Sequence, residues 1–324
     1  MTQALTTHLS PASPSVLSAF DARWSSVLST ARTVNLCLRE ARPLVQVMFV
    51  LRFVTGALLT ASAAHHRPDA PHLLLGAAAW WAATVSVYVF NGVSDLCEDR
   101  ANRSRRPLAS GRLTEEAARR AVAVTALTGL LLSCAAGWRV AEATAVFLAL
   151  GYAYSAPAIA AKCRSWSASA VTCAAAGTTY LAGVASSGST LTPEAAVFAL
   201  VLSLGVGLIA AVAKDLGSTR GDALAGRRTL AVIRGEHSAR RFCAASGGAL
   251  TLVLTAGALW VHELPLDAAA VVFAVGALCV AGRCLPLRRK GARMKSRHFR
   301  APYRSWMATQ YAVHLTALTA LIWA

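Results

Sequence analysis

Three oxygen-bearing side chains recur at a four-residue step, Asn91, Asp95 and Asp99. On a helix that step sets them in one slanting row about 12 Å long. Carboxylate and amide oxygens at the mouth of an apolar segment suit a hard cation such as Mg2+, which binds a few carboxylates and fills its other positions with water or phosphate oxygens. Arg100, Arg103, Arg105 and Arg106 follow at once, and guanidinium groups pair well with phosphate oxygens. The plainer alternative is a solvated helix end followed by a loop of orientation-setting positive charge. A second stretch, Ala213–Val232 (A-K-D-L-G-S-T-R-G-D-A-L-A-G-R-R-T-L-A-V), bears on that choice. It also follows an apolar run, also carries acids (Asp215, Asp222) and also turns basic (Arg227, Arg228). Two acidic clusters at the ends of two apolar helices are what a diphosphate held between metal ions needs.

The elements that must position these residues are written in the composition. The chain has 324 residues, of which 56% are hydrophobic and 15% charged, less charge than a soluble protein of this size carries. Apolar runs recur near 44–64, 71–91, 118–137, 140–160, 168–187, 194–213, 242–261, 266–285 and 303–323. Each is long enough to cross a bilayer, and without water a spanning segment must be a helix that satisfies its own backbone. The expected fold is therefore an all-α integral membrane protein, a bundle of about nine transmembrane helices. A net charge of +17 raises the question of nucleic acid, but its placement answers it. With the N-terminus inside, 30 of the 32 Lys and Arg fall on one side, and only Arg67 and Arg139 on the other. This follows the positive-inside rule and argues against a nucleic-acid partner. It also puts both acidic stretches and the Tyr154–Lys162 loop together on the cytoplasmic side.

The first stretch, N-x-x-x-D-x-x-x-D-R-x-N-R-x-x-R-P-L-x-S-G-R-L, resembles the first signature of the UbiA superfamily of intramembrane prenyltransferases. K-D-x-x-x-x-x-G-D-x-x-x-G-R-R-T-L resembles the second. Between them Y-S-A-P-A-I-A-A-K, Tyr154–Lys162, resembles that family's Tyr-Ser-x-Pro…Lys loop. The three fall in the family's order, and the similarity spans roughly residues 40–324. One position departs: the family usually has another Asp where this chain has Ser218. The resemblance implies Mg2+-dependent transfer of an isoprenyl group from a prenyl diphosphate to an acceptor, most often aromatic, within the membrane. It assigns the metal to Asn91, Asp95, Asp99, Asp215 and Asp222, and the diphosphate to Asn91, Arg103, Arg106, Tyr154, Lys162 and Lys214. A terpene cyclase of the same superfamily would use the same ionisation on the donor alone. A non-catalytic transporter or scaffold is the reading from another class, but transporters place such charges near mid-membrane, not at span ends. The implied setting is a bacterial plasma membrane with the site facing the cytoplasm. The implied partners are prenyl diphosphate, a small-molecule acceptor and membrane lipid.

Around this frame the chain divides into 1–40 and a membrane domain, 41–324. Residues 1–15 are rich in Ser, Thr and Pro and read as disordered, without the basic-then-apolar pattern of a signal peptide. Leu17, Phe20, Trp24, Val27, Leu28, Ala31 and Val34 recur at three- and four-residue steps. They read as an amphipathic helix, either on the membrane face or packed on the bundle. Arg52 lies inside the first span, as a site residue or one reaching back to the headgroups. Tyr88, one turn above Asn91, either lines the site or packs. His314 either acts on an acceptor's proton or is a hydrogen-bonded buried histidine. Eight scattered cysteines show no metal or redox spacing, and most sit within or beside apolar spans, where they read as small buried hydrophobes. Trp138, Trp166, Trp260, Trp306 and Trp323 fall near span ends as an aromatic belt. Gly205 and Gly207 permit close helix packing, and Thr114 reads as an N-cap. Asp215 and Asp222 share a face if their helix continues, with Ser218 between them. The loop 286–304, the most basic, sets orientation, touches anionic lipid or covers the diphosphate.

Overall fold

A computed structural model of the chain describes residues 28–65, 68–285 and 299–323. The expectations for 1–27, for Arg67, and for 286–298 of the basic loop lie outside those residues. The described residues form helices joined by short turns. A helix over 28–40, α1, runs into α2 (Pro43–Ala63) and then α3 (Ala70–Ser94). A short α4 (Leu96–Ala101) precedes α5 (Glu115–Ala136), α6 (Trp138–Ser155) and α7 (Ser165–Ser186). Next, α8 (Pro193–Gly205) continues through a π turn (Val206–Ala210) and ends in a 3-10 turn (Lys214–Gly217). Short α9 (Thr219–Leu224) and α10 (Leu230–Arg234) lead to α11 (Glu236–Val261), α12 (Leu264–Cys284) and α13 (Ala301–Ala320).

Local chemistry explains the boundaries. Thr114 caps α5 as expected, its hydroxyl accepting from the Ala117 amide at 3.2 Å with Glu115 and Glu116 in the first turn. Side-chain caps also start α3 (Asp69) and α8 (Thr192), each followed by a proline in the first turn, where a missing N–H costs nothing. The expected span 140–160 stops early, at Ser155, because Pro157 pushes Ala156 into extended backbone.

Seven helices among the described residues are long and apolar enough to cross a membrane: α2, α3, α5, α7, Pro193–Gly217, α11 and α12. The expected nine includes two more, α6 and α13, which are long but not apolar enough. Arg139 and Glu142 dilute α6, and Arg304, Gln310 and His314 dilute α13. On α13 the polar residues turn inward: Gln310 and His314 are buried. The outer surface is apolar instead, with Leu74, Leu131, Leu252 and Leu278 between 62% and 73% exposed. A soluble chain would not leave such a surface wet.

The largest apolar core joins α8 to α11, α12 and α13. Two smaller ones join α1, α3 and α5, and α2, α3, α6 and α7. Close approach is set where glycine was expected to allow it. A Cβ on Gly207 would lie 2.7 Å from the Ser169 carbonyl oxygen, and one on Gly205 2.3 Å from the Trp306 ring. That contact corrects the reading of Trp306. It is fully buried, edge-on to Phe273 at 5.8 Å, because Gly205 leaves a slot its ring fills. Trp138, Trp166, Trp260 and Trp323 are exposed at helix ends.

Candidate functional site

The C-terminal end of α3, the loop after α6 and the end of α8 come together at one end of the bundle. The α3 helix turns at Asp95, yet the Asp95 amide still bonds the Asn91 carbonyl (2.9 Å) and the Asp99 amide the Asp95 carbonyl (2.8 Å). The four-residue step therefore survives the junction with α4. Asn91 donates to Asp95 Oδ2 at 2.8 Å and accepts from Ser155 at 3.0 Å. The other Asp95 oxygen meets Lys162 Nζ at 2.5 Å and lies 3.6 Å from Arg227. Asp99 pairs with Arg106 at 2.7 Å. Lys214 bonds the Tyr154 hydroxyl and sits 5.2 Å over its ring.

Two backbone hydrogen bonds tie the loops together. The Arg228 amide bonds the Cys163 carbonyl at 2.7 Å and the Ser165 amide the Arg228 carbonyl at 3.1 Å, an isolated parallel bridge. That bridge sets Lys162 and Arg227 against the same carboxylate.

The second acidic stretch departs from expectation. Asp215 and Asp222 do not share one continuous helix. The chain tightens into the 3-10 turn, and Ser218, at φ −124° and ψ 8°, interrupts it before α9 begins. Gly217 beside Ser218 favours that break over a further helical turn. Ser218 then donates to Asp222 Oδ2 at 2.7 Å. Asp222 is buried, with Arg227 3.7 Å away. Asp215 makes no side-chain hydrogen bond or ion pair among the described residues. Arg103, at φ 50° and exposed just past the end of α4, likewise makes none.

Sequence reasoning missed three parts. Glu40 of α1, fully buried, pairs with Arg106 at 2.7 Å and accepts from the Leu108 amide at 3.0 Å. Glu98 pairs with Arg227. Arg227 itself, read only as a basic flank, is the bridge between the two acidic stretches. Burial works against its charge, and the carboxylates of Glu98, Asp95 and Asp222 outweigh it, so its pKa is raised. The available signals were Glu98 on the acidic helix and the Asn-Gly pair. Gly92 makes room for Glu40 and Arg106, since a Cβ there would lie 2.4 Å from Glu40 Oε1 and 2.8 Å from Arg106 Nη2.

Deeper, Arg52 faces inward. It is buried, donates to Gln310 Oε1 and lies 5.4 Å over the Phe49 ring, so it does not reach back to the headgroups. Phe49 in turn meets Tyr88 edge-on at 5.7 Å. His314 is hydrogen-bonded and buried. Its Nδ1 lies 2.6 Å from the Gln310 carbonyl, so it carries the proton, and its Nε2 accepts from the Tyr180 hydroxyl at 2.6 Å.

Among the described residues no three His, Cys, Asp or Glu converge as a ready-made metal cage. The donor set nevertheless fits Mg2+. Asn91, Asp95 and Asp99 on one side and Asp215 and Asp222 on the other offer oxygen only, in two small groups. That leaves positions for water and phosphate, as Mg2+ prefers. Among the paired groups, five carboxylates (Glu40, Asp95, Glu98, Asp99, Asp222) meet three cations (Arg106, Lys162, Arg227). The surplus is negative, which divalent cations would offset.

The model of the UbiA prenyltransferase family matches residues 50–303. No curated protein matches the chain. A UbiA homologue from Archaeoglobus fulgidus, solved with DMAPP and Mg2+ and again with GPP and Mg2+, superposes with a TM-score of 0.65. It is 17% identical, and the match covers 86% of this chain and 99% of that one. A digeranylgeranylglyceryl phosphate synthase structure gives a TM-score of 0.65 at 16% identity, over 90% of this chain and 99% of that one. At such identities the likeness is one of fold.

Proposed function

Because this chain belongs to the UbiA prenyltransferase family, we propose that it transfers an isoprenyl group from a prenyl diphosphate to a small-molecule acceptor within the membrane, with Mg2+. The acceptor is aromatic in this reading, and the site faces the cytoplasm of a bacterial cell. The observation that carries it is the meeting at Asp95. Lys162 at 2.5 Å and Arg227 at 3.6 Å bring three distant segments onto one carboxylate at one end of an apolar bundle. The homologue solved with DMAPP or GPP and Mg2+ on the same fold supports it.

Asn91, Asp95 and Asp99 would hold one metal, and Asp215 and Asp222 a second. Held there, Mg2+ would supply positive charge that offsets the charge on a leaving diphosphate. As the carbon–oxygen bond of the donor breaks, negative charge grows on the diphosphate. Lys162 and Lys214 are cations with one partner each and can turn to those oxygens, and Arg106, held between Glu40 and Asp99, would add fixed positive charge beside them. The allylic cation left behind needs a water-free setting. Tyr88, one turn before Asn91 on α3, meets Phe49 edge-on at 5.7 Å, and aromatic faces there would stabilise a cation. The acceptor attacks that cation and gives up a proton.

The test is purified protein in nanodiscs with DMAPP, GPP and longer donors, with and without aromatic acceptors, in Mg2+ or EDTA. Diphosphate release that needs both Mg2+ and acceptor, with a prenylated product, is expected. Release unaffected by EDTA, or none across the panel, would overturn the proposal. A cyclic hydrocarbon from donor alone would make the chain a cyclase.

A further inference from the structure

Arg227 and Arg228 are neighbours with opposite surroundings. In the extended backbone between α9 and α10 successive side chains alternate in direction. Arg227 meets the acids, whereas Arg228 lines a groove of about 770 Å3 on the other side of the bridge. The parallel pairing sets Arg164 directly beside Arg228, and both line the mouth of that groove. Like charges held opposite one another are unfavourable, and neither guanidinium has a hydrogen bond or ion pair among the described residues. Beneath them the groove is apolar, walled by α7, the π turn of α8, α10 and Phe242 of α11. It opens outward, since Ala170, Ile233 and Phe242 are exposed. From Ser165 to Cys173 it runs eight residues down α7, about 12 Å, against about 15 Å for half a bilayer's hydrocarbon core. Exposed Trp166 at its mouth marks headgroup level.

We propose that this groove is a site for an anionic phospholipid, its phosphate held between Arg164 and Arg228 and its chains lying along α7 and α8. Two unpaired guanidiniums fit one phosphate, and the apolar channel below fits chains and not a free anion. The bound headgroup would remove the repulsion across the bridge that holds Lys162 and Arg227 in place. Lipid binding is independent of which reaction the acidic site performs.

The experiment is native mass spectrometry of the full chain released from micelles containing equal phosphatidylglycerol and phosphatidylcholine. Wild type should retain phosphatidylglycerol preferentially. R164Q and R228Q should each lower that preference about fivefold. R119Q/R120Q removes two positive charges that pair with Glu115 and Glu116 elsewhere, and should leave the preference intact. A170W fills the apolar groove without touching charge and should reduce phosphatidylglycerol retention, which decides the matter if the arginine variants do not fold. Equal retention of the two lipids, equal loss in R119Q/R120Q, or full retention in A170W would each overturn the proposal. Displacement of phosphatidylglycerol by added GPP would also overturn it, because the groove would then belong to substrate.

Discussion

Asp95 touches Lys162 and lies within reach of Arg227, so its removal strips two cations of their common partner. In the proposed complex it also removes an oxygen from the metal. D95A and D99A should therefore lower diphosphate release by about a hundredfold or more. Chelation of wild type by EDTA should match them and added Mg2+ should reverse it. Full release in either variant would sink the proposed role. Ser218 tests the other acidic stretch. Its hydroxyl donates to Asp222 at 2.7 Å, so S218D would set two carboxylates side by side. Without a cation they repel, and with one they share it. S218D should lower the Mg2+ concentration giving half-maximal rate, and should melt lower in EDTA than in Mg2+. A folded but inactive S218D would mean that Ser218 has a contact of its own, with the acceptor as the candidate.

At the scale of elements, α1 is fastened to α3 and its following loop by the buried Glu40. Its side chain is fully buried against an Arg106 that is 14% exposed. Removing one member of such a pair strands the other, at a cost of about 3–5 kcal/mol. E40A should show that loss in denaturant unfolding and should slow turnover as well, because Arg106 also holds Asp99. G92A should act through the same contact, since its Cβ would lie 2.4 Å from Glu40 Oε1. A G92A protein as stable as wild type would show that the pair tolerates displacement. The other end of the site depends on an element that stops. Had α8 continued as a regular helix, Ser218 would sit on the turn after Asp215. The 3-10 turn instead releases it to cap the Asp222 carboxylate.

At the scale of the molecule, the distribution of basic residues predicts that the acidic loops face the cytoplasm. In a chain with its eight cysteines replaced, R105C should resist a membrane-impermeant thiol reagent on intact cells and T190C should react. The reverse pattern would remove the orientation argument. Both positions are exposed and lie between helices at opposite ends of the bundle.

What the sequence by itself determined is periodic or local. Apolar runs of bilayer length, Thr114 as a cap, the glycines that admit neighbours, and the four-residue row of Asn91, Asp95 and Asp99 all depend on residues close in the chain. For the same reason the three motif stretches could be assigned to one side, since charge placement and alternating spans need no long-range contact. Tertiary structure decided what depends on distant partners. It decided that Arg227 and not its neighbour joins the acids, that Glu40 is buried under Arg106, and that Arg52 and Trp306 turn inward. It also decided that α8 tightens before Ser218 and that α13 hides its polar face. A side chain's partner across the bundle is fixed by how helices pack and where loops are tied, as at the Arg164–Arg228 bridge. No spacing within one segment carries that information.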